Sequence, residues 1–103
     1  MIYICSPYRA NTEEQLQKHI EYARELTRAE LLAGRCPVAV HLYMTQCLDE
    51  DKPEERSIGL AAGIGASHHC HKMVVGKRFG ISEGMSGEIR TAEELGIEIE
   101  YRD

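Results

Sequence analysis

Met1 to Cys5 is an unbroken apolar run of β-forming residues and predicts a buried strand. A turn, Ser6-Pro7-Tyr8-Arg9-Ala10, separates it from a long helix that Asn11 opens, with Glu14 completing a capping box. Leu16, Ile20, Ala23, Leu26 and Thr27 recur at helical spacing and form its packed side, and Gly34 ends it. Cys36 to Leu42 predicts a second strand, with Pro37 near its start, where a missing N–H is tolerated. Residues 43 to 56 are polar and charged. A structureless connection of that length is uncommon in a small domain and often functional, although Asp49 to Asp51 read as a solvated loop. A helix from about Glu54 to Ser67 follows, in which Gly59 and Gly63 permit close approach of another backbone, that of the sheet or of a partner subunit. Lys72 to Gly76 is a third strand, and Ile97 to Tyr101 alternates as an edge strand with one wet face does.

Strands alternating with helices imply a parallel sheet with right-handed crossovers. Four strands suit a flavodoxin-like α/β order, 2-1-3-4, built as a three-layer sandwich. The winding reverses beside strands one and three, and ligands bind such sheets at the carboxyl ends of the strands near that reversal. The segments expected to meet there are Ser6 to Arg9, His41 to Tyr43, and Lys77 to Glu88.

Residues 80 to 96 carry the densest signal. The stretch begins as a glycine-rich loop and becomes a helix in which Ile81, Met85, Ala92 and Leu95 repeat at helical spacing, with Gly96 placed to stop it. Glu88 falls inside that apolar stripe, where a carboxylate is costly unless paired, hydrogen-bonded or used. Gly84 and Gly87 remove side chains that would hold a ligand away from it. One expectation is a partly desolvated carboxylate at the floor of a small-molecule site. The other shifts the buried face to Met85, Ile89 and Ala92 and leaves Glu88 at its edge in a salt bridge.

Composition narrows the partners. The chain has 103 residues, enough for one domain with a core, and a formal net charge of −5 that argues against a nucleic-acid polymer. Compact anions remain compatible, since a helix N-terminus binds phosphate without basic residues. No basic leader precedes the first apolar run and no run reaches membrane-spanning length, so a cytoplasmic protein without a membrane partner is expected. Cys5, Cys36, Cys47 and Cys70 form no Cys-x-x-Cys pair and read as reduced, mostly buried thiols. His68-His69-Cys70-His71 lacks zinc spacing, and adjacent residues rarely converge on one ion, so no metal is expected. Neither a dinucleotide fingerprint, a Walker sequence nor a nucleophile elbow is present, and no cofactor is expected.

Ile2-Tyr3-Ile4-Cys5-Ser6-Pro7-Tyr8, together with Ser82-Glu83-Gly84-Met85-Ser86-Gly87-Glu88-Ile89, resembles the nucleoside 2-deoxyribosyltransferase superfamily, closest to its small bacterial and phage-encoded members. The resemblance implies one such domain over residues 1–103, with a flavodoxin-like fold and homo-oligomeric assembly. It implies that Glu88 is the nucleophile attacking C1′ of a deoxyribose and that Tyr3 lies beside it. It also implies that the glycine-rich turn holds the 5′ hydroxyl or phosphate. The substrate-binding set is then Ser6, Pro7, Tyr8, Arg9, His41, Ser82, Gly84, Met85 and Ser86. The sequence departs from the family pattern in its auxiliary carboxylates. Ser82 stands six residues before Glu88 where members carry an acid, the helix before the third strand has Gly and Ala, and His71 replaces an aspartate. A departing base needs a proton, for which His41, His71 and Glu54/Glu55 are the expected donors. Two functions follow: an enzyme that breaks N-glycosidic bonds of deoxynucleosides or their monophosphates, or a non-catalytic nucleotide-binding module on the same fold.

Overall fold

A computed structural model describes residues 1–103. Its centre is β1 (Ile2–Cys5), every residue of which is buried. β1 pairs in parallel with β2 (Pro37–Val38) on one side and with β3 (Lys72–Gly76) on the other, and β3 pairs in parallel with β4 (Glu98–Arg102). The sheet order is therefore β2-β1-β3-β4. This is the flavodoxin-like α/β arrangement expected from the alternation of strands and helices. Ile2 lies opposite both Pro37 and Lys72, and Lys72 lies opposite Glu98.

Side-chain alternation along β1 and β3 divides the core into two. Ile2, Ile4 and Val74 face α1 (Glu13–Leu32) and meet Tyr22 and Leu26. Tyr3, Cys5, Met73 and Val75 face the opposite layer and meet Met85 and Ala92 of α4 (Glu83–Leu95). α3 (Pro53–Ser67) belongs to that second layer, with Ala66 against the same cluster. One helix on one face and two on the other follow from the reversal after β2, because crossovers keep a single hand.

Local chemistry sets the boundaries, and several differ from the sequence expectation. The N-cap of α1 is Thr12 and not Asn11: its hydroxyl accepts the Gln15 amide at 3.1 Å, while the Gln15 side chain accepts the Asn11 amide at 3.2 Å. Gly34, at φ 81°, ends α1 as expected; its N–H reaches Leu31 O and that of Arg35 reaches Glu30 O, both at 3.0 Å. The buried stripe of α1 is His19, Tyr22, Ala23, Leu26 and Glu30, with Leu16, Ile20 and Thr27 only half-buried at its border. The two polar members are affordable there because His19 bonds Tyr8 O at 3.1 Å and Glu30 bonds Arg35 and Arg102. On α4, Met85 and Ala92 are buried as expected, but Leu95 in its last turn is exposed, and Ile81 is exposed because it lies in the loop before the N-cap Ser82, outside the helix.

The second strand is much shorter than the run Cys36 to Leu42. Only Pro37 and Val38 pair with β1; Val40–Leu42 closes into a 3-10 turn in which the amides of Leu42 and Tyr43 reach Ala39 O and Val40 O. β2 has β1 as its sole neighbour, and the turn carries Val40 into the core and His41 toward the carboxyl end of the sheet. Met44–Cys47 adds one turn of helix, α2. No helix is long and apolar enough to cross a membrane. The thiols are all free, but only Cys5 and Cys70 are buried; Cys36 and Cys47 are exposed because they sit just before β2 and at the end of α2, outside the packed layers.

Candidate functional site

A cleft of about 600 Å³ opens at the carboxyl ends of β1 and β3. That size is ordinary for a small-molecule site. Its floor is Tyr3, and its walls come from the loop after β1, the 3-10 turn, the connection into α3, and the first turns of α4.

Glu88 projects into the cleft from α4, one turn after Gly84. No lysine, arginine or histidine pairs with it, which removes the edge salt bridge as its role. Burial pushes its carboxyl up to about 7, and an interaction with the Tyr3 hydroxyl pulls in the opposite direction, favouring the anion. Tyr3 is 1 % exposed, and burial followed by the neighbouring Glu88 charge raises its phenol far above the usual range. The phenol therefore stays protonated and can direct its O–H to the carboxylate. Gly63 of α3 makes this packing possible: a Cβ there would stand 3.1 Å from Tyr3 Oη and 3.5 Å from Val40 Cγ2. Gly84 and Gly87 line the cleft with nothing within 4 Å of a Cβ, so both leave open space beside Glu88.

The first turn of α4 faces the same space. Ser82 is its N-cap, and the Ser82 hydroxyl accepts the Met85 amide at 3.3 Å. The amides of Glu83 and Gly84 precede the first intrahelical bond and find no acceptor in the chain, so the positive end of the helix dipole is open to an anion. Arg9 and Arg56 line the cleft as well, and neither makes an ion pair. Across from α4, Ser6 Oγ and His41 Nε2 lie 2.8 Å apart. Burial holds the His41 imidazole down to about 4, so it is neutral at pH 7 and serves as a hydrogen-bonding group.

Nine of the eleven residues singled out in the sequence line this cleft: Tyr3, Ser6, Tyr8, Arg9, His41, Ser82, Gly84, Met85 and Glu88. Two do not. Pro7 is buried behind the wall, where its fixed φ turns the chain between Ser6 and Tyr8. Ser86 is exposed on α4 two residues from Glu88, which at about 100° per residue turns it away from the cleft. Of the expected proton donors only His41 is in place. His71 lies at the opposite end of the sheet with Nδ1 3.1 Å from the amino terminus, and Glu55 accepts the Asp49 amide at 3.0 Å outside the cleft. The His68-to-His71 run has separate structural contacts: His68 Nδ1 meets Ile64 O at 2.8 Å, and Cys70 Sγ meets Ala66 O at 3.5 Å.

The sequence reading missed Glu50 and Arg56, which enter the cleft from the connection into α3. Its only signal was the length of that polar connection. In comparison with known proteins, the profile of a domain of unknown function, DUF7768, matches residues 1–102. The chain belongs to the DUF7768 family. No curated protein and no solved structure matches it significantly. In this DUF7768 domain the cleft is where titratable side chains and open backbone amides come together. That cleft pairs a desolvated carboxylate with a phenol at its floor and supplies anion-binding groups at its rim.

Proposed function

We propose that the cleft binds deoxynucleosides or deoxynucleoside monophosphates and that Glu88 breaks the N-glycosidic bond as a nucleophile. The observation that carries the proposal is Glu88 itself: unpaired with any cation, half-buried in the cleft beside Tyr3, and held at about 7. A structural glutamate gains nothing from that placement, whereas a nucleophile gains an undersolvated, reactive anion. In this reading the 5′ phosphate or hydroxyl meets the open amides of Glu83 and Gly84, with Arg9 near the rim. The sugar then lies over Tyr3. Glu88 Oε forms a bond to C1′ while the C1′–N bond breaks, and the departing base takes up a proton from solvent water. Water or a second base then attacks C1′, releases Glu88 and loses a proton. The oxocarbenium character of both transition states is stabilised by the carboxylate, and Tyr3 orients it. Resemblance to the nucleoside 2-deoxyribosyltransferase superfamily supports the same reading, as do the paired Tyr3 and Glu88. A cytoplasmic homo-oligomer belongs to the proposal, supported by the free thiols and by Ile58, Leu60 and Ile64 exposed on α3.

A binding module without catalysis is favoured by one feature. The wall of α3 above Tyr3 presents Gly59 and Gly63, and Ser82 spends its side chain on capping, so the auxiliary acids of the superfamily have no counterpart at those places. Chromatography for released base, with a panel of deoxynucleosides and monophosphates, separates the two. Wild type is expected to release base and Glu88→Gln to release none. A wild type that releases nothing yet is stabilised by a nucleotide supports the binding module.

A further inference from the structure

The connection into α3 places two charged side chains in the cleft that the reaction above does not use. Glu50 is half-buried and makes neither a hydrogen bond nor an ion pair with the protein, and Arg56 likewise has no carboxylate partner. Glu50 is held at a defined place. Its Oε2 comes 3.9 Å from the position of a Cβ on Gly59, and Leu48 Cδ1 reaches the same point at 3.2 Å. The backbone around it is fastened by Asp49 N to Glu55 Oε1 and Asp51 N to Asp49 Oδ1, both at 3.0 Å.

α3 supplies the ruler. A Cβ on Gly63 would meet the Tyr3 hydroxyl beside Glu88, and one on Gly59, one turn earlier on the same face of the helix, would approach Glu50. Four residues of helix rise about 6 Å. With the sugar over Tyr3 and the phosphate at α4, a nucleobase projects along α3 toward Glu50 and Arg56, and its far edge reaches them at about that distance. A carboxylate only accepts hydrogen bonds and a guanidinium only donates. The pair complements an edge that carries a donor beside an acceptor; with Glu50 at the exocyclic position and Arg56 at the ring nitrogen, that edge is an exocyclic amino group beside an unprotonated ring nitrogen.

We infer that Glu50 and Arg56 read the base edge, and that the site selects nucleotides whose base carries an exocyclic amino group over those with an oxo group at the same position. The inference rests on the nucleotide-site reading above. Cytosine offers N4–H2 beside N3, and adenine N6–H2 beside N1. In that placement uracil and hypoxanthine turn a carbonyl oxygen toward Glu50 and a ring N–H toward Arg56, leaving both unpaired, which is the circumstance in which polar sites discriminate most strongly.

Two isosteric pairs test it: dCMP against dUMP, and dAMP against dIMP. Titration calorimetry on Glu88→Gln protein, in which ligand is not consumed, is expected to show each amino nucleotide binding at least about ten-fold tighter than its oxo counterpart. Adding Glu50→Gln, whose amide can present either a donor or an acceptor, is expected to bring both ratios to within about three-fold of one. Equal affinity within each pair while Glu50 is present overturns the inference, and so do ratios that Glu50→Gln leaves unchanged; both leave the nucleotide site standing. Failure of all four monophosphates to bind overturns the nucleotide site and the inference together.

Discussion

Glu88 and His41 shape how the residues of the cleft respond to pH, and they do so with opposite signs. Glu88 has a folded-state pKa raised from 4.5 to about 7, so the native protein binds more protons than the unfolded chain between those values. Stability contributed by this group falls as pH rises through that window, by on the order of 3 kcal/mol in all. His41 is lowered from 6.5 to about 4, so the unfolded chain binds more protons, and stability rises with pH across its window. The two nearly cancel between pH 4.5 and 6.5. Thermal melts of Glu88→Gln are therefore expected to show a steeper rise of stability with pH than wild type. At pH 8 the variant should be the more stable protein, by up to about 3 kcal/mol, while its turnover is lost. A fall in stability at pH 8 would mean that Glu88 has a stabilising partner. Tyr3→Phe should lower turnover less than Glu88→Gln, because it removes orientation and leaves the nucleophile. Glu88 was legible because a carboxylate interrupts an apolar stripe between two glycines. Glu50 was not, because nothing in the run Asp49-Glu50-Asp51-Lys52-Pro53-Glu54-Glu55 distinguishes the one acid that folds over Gly59. Glu30 escaped notice for a related reason: its partners Arg35 and Arg102 lie 5 and 72 residues away, and only the sheet brings the second one near.

Among the elements, α4 does most for the site. Its first turn is built for ligand access at some cost in helix stability. Gly84 lies in the helix with open space where a Cβ would be, and alanine there is expected to stabilise the protein by up to about 1 kcal/mol. The added methyl enters the cleft beside Glu88, so nucleotide affinity should fall at the same time. A melting curve and a binding isotherm on Gly84→Ala check both signs; a gain in stability with unchanged affinity would place the ligand elsewhere. β2 shows where pattern reading runs out. Cys36 to Leu42 has a strand's composition, yet hydrogen bonding ends after Val38 because Val40–Leu42 turns to carry His41 into the cleft. α1 was placed nearly to the residue by its Gly34 stop, but its buried stripe includes His19 and Glu30, polar residues that a hydrophobicity pattern passes over.

At the scale of the whole molecule, strand order was the most legible feature. The alternation of four strand-like runs with three longer helical ones leaves few parallel sheets, and 2-1-3-4 is the one observed. The wet face of β4 is closed by charge instead of a helix: Lys72 meets Glu98 at 3.3 Å and Glu100 at 2.7 Å, and Arg102 joins Glu100 to the buried Glu30. The hydrogen bond from Arg102, then that from Lys72, holds the Glu100 carboxyl down to about 2. α3 is finished differently. Ile58, Leu60 and Ile64 are 59, 48 and 41 % exposed, and Leu60 and Ile64 also border the cleft. Light scattering is expected to report at least a dimer at micromolar concentration, and a monomer alone would count against assembly through this face. The central claim, that Glu88 becomes covalently linked to the sugar, is tested most directly by intact mass spectrometry. A 2-deoxy-2-fluoro nucleoside or its monophosphate slows release of the glycosyl enzyme, because fluorine disfavours the oxocarbenium-like transition state. Wild type is predicted to gain the mass of one sugar, or sugar phosphate, on the peptide containing Glu88, and Glu88→Gln to gain none. Base release from natural deoxynucleotides with no adduct on Glu88, or with an adduct on another residue, would contradict the account.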